Sequence, residues 1–452
     1  MQTEEHRRAD LNRRKETSIA VTSGIFTADF KGQPYWWDEV PRPDLGVVDP
    51  PTKADVVVIG SGYTGLNAAL QTARGGRHTV VLDAEAAGFG CSTRNGGQIS
   101  TSVKPSFAAL AKRFGPERAT AIIKDGQQSL SWLGSFVAEE RIDCDFGVVG
   151  RFHAAHTPGQ YEALARAVEN QRPEIKVEAH MVPRSEQRSE IGTDIYYGGA
   201  VFRQHASVNP ARYHAGLLAR VREAGASVIT FCPATEVVPQ GQDFLVRTSR
   251  GTIIARDVVI ASNGYTGKLT PWLHRRVIPI GSYVIATEPL DMALVDQLIP
   301  RNRIVSDSRK VVYYYRASPD RRRILFGGRV SLSETDPRNS GPMLRAEMVR
   351  IFPQLKDVRI SHSWCGLVAY TFDELMHAGR HAGMYYAMGY CGSGVGMASY
   401  LGMRLGQQVL GLAEGRTAFD GLPFETRPLY TGTPWFLAPS VFYYRWRDRT
   451  AA

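Results

Sequence analysis

The sequence predicts an α/β protein, α+β overall: a Rossmann-like nucleotide-binding domain, discontinuous in sequence, beside a second, mostly antiparallel β-sheet domain. Three observations carry this. Residues 54 to 83 hold a complete strand–turn–helix–strand cradle, later glycine-rich turns bring the chain back to the same ligand, and strand-like runs without intervening helices fill much of the remainder.

The cradle reads ADVVVIGSGYTGLNAALQTARGGRHTVVLD. An apolar strand runs into Gly60-Ser61-Gly62, a helix opens through Thr64 and Gly65, and a second strand ends on Asp83. Gly60 permits the tight turn, Gly62 lets backbone approach a pyrophosphate, and Gly65 lets the helix lie close on the strand. Phosphates then meet the free N–H groups of the helix N-terminus, and Asp83 offers a carboxylate to the ribose hydroxyls.

Two further clusters select among dinucleotides. Arg94-Asn95-Gly96-Gly97-Gln98 lies in a segment too polar and glycine-rich for a core strand, which makes it a loop near the cofactor. Gly389-Tyr390-Cys391-Gly392-Ser393-Gly394-Val395-Gly396 follows the strand-like MYYAM and opens a helical run through about Leu412. Between them GTIIARDVVIASNGYTG reads as a hairpin-like strand pair ending at Ser262, Asn263 and Gly264. A helix N-terminus at the third turn suits the flavin edge where negative charge collects on reduction, and a nicotinamide gains no such charge. FAD is therefore expected over NAD.

Composition fits a globular enzyme of two or three core-bearing units in 452 residues. No run of 18 apolar residues occurs, so no spanning segment is expected. Five cysteines, Cys91, Cys144, Cys232, Cys365 and Cys391, are odd in number, and together with His205, His214, His362, His377 and His381 they form no metal pattern. The amino-terminal MQTEEHRRADLNRRKE mixes acids with arginines and has no apolar centre, which points to the cytoplasm. The net charge of +10 invites a nucleic-acid reading, but its densest cations fall on two strand-like runs, KVVYYYRAS and RRRILFGGRV, around the turn SPD. Most read as a solvated face. Arg316 and Arg329 follow apolar or aromatic runs and could aim a guanidinium at a carboxylate.

The segments DVVVIGSGYTGLNAAL, GFGCSTRNGGQ, VNPARYHAGLLARVREAGASV, VVIASNGYTGKLTPWL, VIATEPL, FPQLKDV with Trp364-x-Gly366, and GYCGSGVGMASYLG resemble those of D-amino-acid-oxidase-type FAD-dependent oxidoreductases. Within that family they are similar to the γ-glutamylputrescine oxidase branch. The resemblance runs over nearly the whole chain from residue 54 and implies oxidation of an amine or amino acid. It also implies a backbone contact to adenine at Val237. This chain departs from the branch in having Ser393 where a histidine is common and Met376 where a proline is common.

The expected organisation is an amino-terminal arm over 1–50, pinned by Tyr35, Trp36 and Trp37, and an FAD domain from 51–145, 206–275 and 364–430. A substrate domain comes from 146–205 and 276–363, and a docking segment from 431–452 whose FYYRWRDR forms a helix with its arginines at the exposed edge. The flavin lies at the domain junction, so substrate contacts are expected from Tyr283, Tyr315, Arg316, Arg329, Trp364 and Ser393, although a core role for the aromatics stays open. The FAD is expected to be noncovalent, although Cys91 and Cys391 sit in cofactor turns. No residue type identifies a general base, and oxygen or a separate acceptor takes the electrons. Three other readings stay open: a subunit of a heteromeric dehydrogenase, an NAD enzyme, and a basic-surface interaction protein.

Overall fold

A computed structural model describes residues 24–101, 103–329 and 335–450. Two large sheets organise it. The first holds a parallel core in the order Met384–Met388, Gly251–Ile260, Lys53–Ile59, Thr79–Leu82, Ser227–Ile229, with the antiparallel pair Ala234–Gln240 and Asp243–Thr248 continuing from the far end of Gly251–Ile260. GTIIARDVVI is thus one long strand, and its hairpin partner is the preceding Asp243–Thr248.

The central strands are apolar on both faces, as a covered parallel sheet requires. Val56, Val58, Val81 and Val259 meet Leu66 and Leu70 of the helix Tyr63–Arg74 and Leu401 and Leu405 of the helix Gly394–Val409. Val57, Ile59, Val80 and Ile260 pack oppositely on Phe244 and Val246. The helix Pro210–Glu223 opens where Asn209 Oδ1 accepts from the N–H groups of Ala211 and Arg212, with Pro210 preset for the first turn.

The second sheet has nine strands in the order Phe26–Lys31, Ile360–Tyr370, Ile278–Thr287, Ile324–Gly328, Tyr313–Ala317, Ile304–Asp307, Arg151–Ala154, Gly199–Phe202, Ala179–Val182. Its junctions are antiparallel except Phe26–Lys31 on Ile360–Tyr370 and Ile304–Asp307 on Arg151–Ala154. The expected boundary at 364 falls inside the strand Ile360–Tyr370. The expected arm is built into this sheet from Phe26, while residues 1 to 23 lie outside the described residues.

Period-two alternation divides the second sheet's side chains. Tyr283, Ile285, Tyr313, Tyr315 and Phe326 enter a core closed by Leu344, Met348 and Ile351 of the helix Pro337–Ile351. Val284, Ala286, Leu325 and Trp364 turn to the other face and meet Tyr35, Trp36 and Ala211. This second face looks toward the first sheet, and the ribbon of Gln98–Ile99 on Ala206–Ser207 runs between the two.

Candidate active site

The strand Lys53–Ile59 ends at Gly60, whose φ of +110° makes the turn. A Cβ on Gly65 would lie 1.9 Å from the Gly60 carbonyl oxygen, so only glycine lets this helix sit on its turn. Asp83, just past the strand Thr79–Leu82, accepts through Oδ2 from the Ser61 N–H at 2.8 Å and the Ser61 hydroxyl at 2.5 Å. His214 Nε2 lies 2.8 Å from the Ser61 carbonyl, and burial holds its pKa below the ordinary histidine range. An uncharged His214 therefore braces the turn by donating to that carbonyl.

The second turn docks on the first. The Ser92 hydroxyl accepts from the Tyr63 N–H at the opening of the helix, and Asn95 Oδ1 accepts from the Gly97 N–H. Gly97 has φ +65°, and a Cβ there would lie 2.1 Å from the Val208 carbonyl oxygen. Two indoles hold this loop from the other sheet's side, Trp364 Nε1 donating to the Arg94 carbonyl and Trp36 Nε1 to the Asn95 carbonyl. Arg94 stacks between Trp37 and Phe89 with its guanidinium 4.6 and 4.5 Å from the ring centres, and Gln98 Nε2 donates to the Tyr315 carbonyl at 3.1 Å.

The late turn closes the site. Asn263, held at φ +42°, accepts through Oδ1 from the Gly389 N–H, and the Thr64 and Tyr390 hydroxyls meet at 2.6 Å. Beyond Cys391 the turn opens: a Cβ on Gly392 or Gly394 would have no heavy atom nearer than 3.8 Å. The helix Gly394–Val409 therefore starts against open space, its free N–H groups available to an electron-rich ligand edge.

These contacts bring three glycine-rich turns and two helix N-termini to the same end of one parallel sheet, the place where such sheets bind nucleotides. Residues 55–408 match the family described as FAD dependent oxidoreductase, or DAO. The chain belongs to that family. This oxidoreductase is similar to gamma-glutamylputrescine oxidoreductase of Escherichia coli (strain K12), at 32% identity over 404 residues covering 87% of this chain and 93% of the relative. Among solved structures, glycine oxidase from Geobacillus kaustophilus superposes with a TM-score of 0.71 at 19% identity, covering 84% of this chain and 99% of that one. L-proline dehydrogenase from P. horikoshii gives 0.68 at 18% identity, covering 86% and 99%. The oxidoreductase is FAD-dependent, and its mixed fold is that of the DAO-type flavoenzymes.

Of the residues expected to meet substrate, most are placed as supports. The hydroxyl of Tyr283 accepts from the Thr335 N–H, and that of Tyr315 donates to the Tyr196 hydroxyl, both on the face away from the cofactor loop. The alternation that buries them turns Ser282 and Tyr314 toward the loop instead: their hydroxyls meet at 2.9 Å, and the Tyr314 ring lies 2.9 Å from where a Cβ on Gly96 would project. Arg316 is buried, with Nη1 donating to the carbonyls of Gly97 and Val208 and Nε to that of Ala317. Arg329 donates through Nη1 to the Gly281 carbonyl. Trp364 is a core residue whose N–H fixes the loop, and Ser393 occupies the N-cap position of the helix Gly394–Val409.

Val237 pairs with Val246 in the hairpin and lines a cavity of about 210 Å³ with Trp272 and His381. The backbone that abuts Asp83 is that of Cys232, whose N–H donates to the Asp83 carbonyl. Of the dense cations, Arg303 pairs with Glu190, Arg309 with the buried Asp307, and Arg321 with Asp296.

Sequence reasoning passed over Lys104. Its ammonium lies 5.0 Å from the centre of the Tyr370 ring, and the Tyr370 hydroxyl is 3.8 Å from where a Cβ on Gly392 would project. Burial works to lower its pKa, but Tyr370, with smaller contributions from Cys391 and Glu374, outweighs it and holds the pKa above the ordinary lysine value. A lysine within ISTSVKPS, just after the cofactor loop, was the available signal. Burial also pushes the thiols of Cys91 and Cys391 up to about 11.

Proposed function

We propose that this oxidoreductase oxidises a carboxylate-bearing amine or amino acid at the carbon next to nitrogen. The carrying observation is Lys104, a cation beside the open turn Cys391–Gly394, which in this reading faces the flavin ring. The relatives' names support the class, since γ-glutamylputrescine, glycine and proline each combine an amine with a carboxylate.

The residues suit the cofactor: Gly60, Ser61, Gly62, Thr64 and Gly65 would hold the pyrophosphate at the helix N-terminus, with Asp83 on the ribose side. Arg94, Asn95, Gly96, Gly97 and Gln98, with Asn263, would carry the flavin, and Gly392, Ser393, Gly394, Val395 and Gly396 would face its electron-accepting edge. When bound, FAD supplies a two-electron acceptor that takes hydride at its N5. Lys104 attracts the substrate carboxylate and, as a neighbouring cation, disfavours a protonated substrate amine. The amine therefore enters neutral. Its lone pair forms the C=N bond as hydride leaves the adjacent carbon, and water then cleaves the iminium to a carbonyl compound and ammonia or a primary amine. Attachment of FAD is noncovalent in this reading, because thiols held protonated at Cys91 and Cys391 are poor nucleophiles.

Product analysis tests the reading. Incubation with glycine, N-alkyl amino acids and γ-glutamyl amines should release a carbonyl product, trapped as its hydrazone, from at least one class. Absence of hydrazone from every amine, with flavin bound, would refute it.

A further inference from the structure

The carboxy-terminal helix Leu437–Thr450 departs in part from the expected arrangement, exposing rings as well as Arg447 and turning Arg445 inward. Its inward side is polar as well as apolar: Val441 is buried, Arg445 donates to the Arg329 carbonyl, and the Asp448 carboxylate accepts from the N–H groups of Lys310 and Val311. Its outward side carries the rings. Phe442 is 65% exposed, Tyr443 50% and Trp446 56%, and Trp435 just before the helix is 67% exposed. Tyr443 and Trp446 adjoin, with their ring centres 6.3 Å apart. Scattered exposed apolar side chains are ordinary on a soluble protein, but four large aromatics within twelve residues are a surface to be covered.

Charge decides what covers it. Arg445 and Asp448, the one acid of this stretch, both face inward, which leaves Arg447 as the exposed charge beside the rings in a chain already at +10. A second copy would meet this face with the same positive charge, because a two-fold contact uses one patch on both partners. An anionic phospholipid surface accepts both components, rings at the headgroup level and guanidinium groups against phosphate. Among the described residues no helix is long and apolar enough to cross a membrane.

We propose that Trp435, Phe442, Tyr443 and Trp446, with Arg447, form a docking face for anionic phospholipid membranes. The face is independent of the reaction assigned above.

Flotation of the full-length FAD-loaded protein with vesicles tests this. The protein should float with vesicles containing phosphatidylglycerol, not with phosphatidylcholine alone, and release as salt rises. The double variant Phe442→Ser/Tyr443→Ser, altering only exposed rings, should keep its melting temperature and flavin content and lose vesicle affinity by about tenfold or more. The proposal is overturned if the protein floats with neither vesicle, or if the double variant binds as wild type does. It is equally overturned if light scattering shows a dimer that the substitutions dissociate, or if single-stranded nucleic acid is bound in preference to anionic vesicles.

Discussion

Arg316, buried in the nine-stranded sheet, donates through Nη1 to the carbonyl oxygen of Gly97 at 3.0 Å. The same nitrogen reaches the Val208 carbonyl, and Nε that of Ala317, so one side chain fastens the nine-stranded sheet to the loop that holds Gly97. Burial pushes its pKa down to about 10, still well above neutrality.

Arg316→Met should therefore behave as a cofactor and stability mutant. The Gly97 carbonyl keeps the Val208 N–H as a donor, while the Val208 carbonyl left unpaired costs about 1–3 kcal/mol. The melting temperature and the affinity for FAD should fall together, while KM for the amine changes little once FAD is saturating. Thermal melts and flavin titration measure both; a raised KM with unchanged FAD affinity would mark Arg316 as a substrate ligand.

Gly65→Ala should fail to retain flavin. The new methyl would stand 1.9 Å from the Gly60 carbonyl oxygen, a contact that only displacement of the turn relieves. The ratio of flavin to protein absorbance after gel filtration should drop to near zero, whereas alanine at Gly411, where a Cβ meets nothing within 4 Å but φ is +78°, should cost only about 1 kcal/mol of stability and leave flavin in place.

The nucleotide half of this architecture was legible because its pieces carry local signatures: glycine spacing in three turns and an acid at a strand end. The substrate side was less so. Tyr283 and Tyr315 were singled out on strands whose phase was unknown, and a shift of one residue exchanges Tyr315 for Tyr314. Arg316 on an aromatic strand looked like a carboxylate clamp because the backbone carbonyls converging on it from residues 97 and 208 leave no trace in the local sequence. The anchoring of Tyr35, Trp36 and Trp37 was visible as hydrophobic docking, but the Trp36 bond to the Asn95 carbonyl was not.

Acid should destabilise the fold partly through His205, whose Nε2 accepts from the Thr101 N–H and whose pKa burial pushes down to about 3. A depressed native pKa means the unfolded chain binds the proton first. This contribution is fully present above about pH 6.5 and is lost as pH falls from there toward 3, about 2 kcal/mol by pH 5. His205→Gln should be less stable at pH 7.5 but show a loss between pH 7 and 5 smaller by roughly that amount in urea melts; identical slopes would contradict the assignment.

Lys104→Met should raise KM for carboxylate-bearing amines by about tenfold to a hundredfold, the scale of one charge-assisted contact, and leave that for uncharged amines nearly unchanged. Removing the cation should also raise the pKa of the bound amine, shifting the rising limb of the kcat–pH profile to higher pH. Equal effects on both substrate classes would assign Lys104 a structural role.

The central claim is that a neutral amine gives up hydride in a site built on these three turns. It is tested most directly by the visible spectrum of the purified protein, recorded before and after anaerobic addition of amino acids, N-alkyl amino acids and γ-glutamyl amines. The account predicts flavin bands that bleach with a carboxylate-bearing amine, faster as pH rises. Flavin bands unmoved by every amine would contradict it.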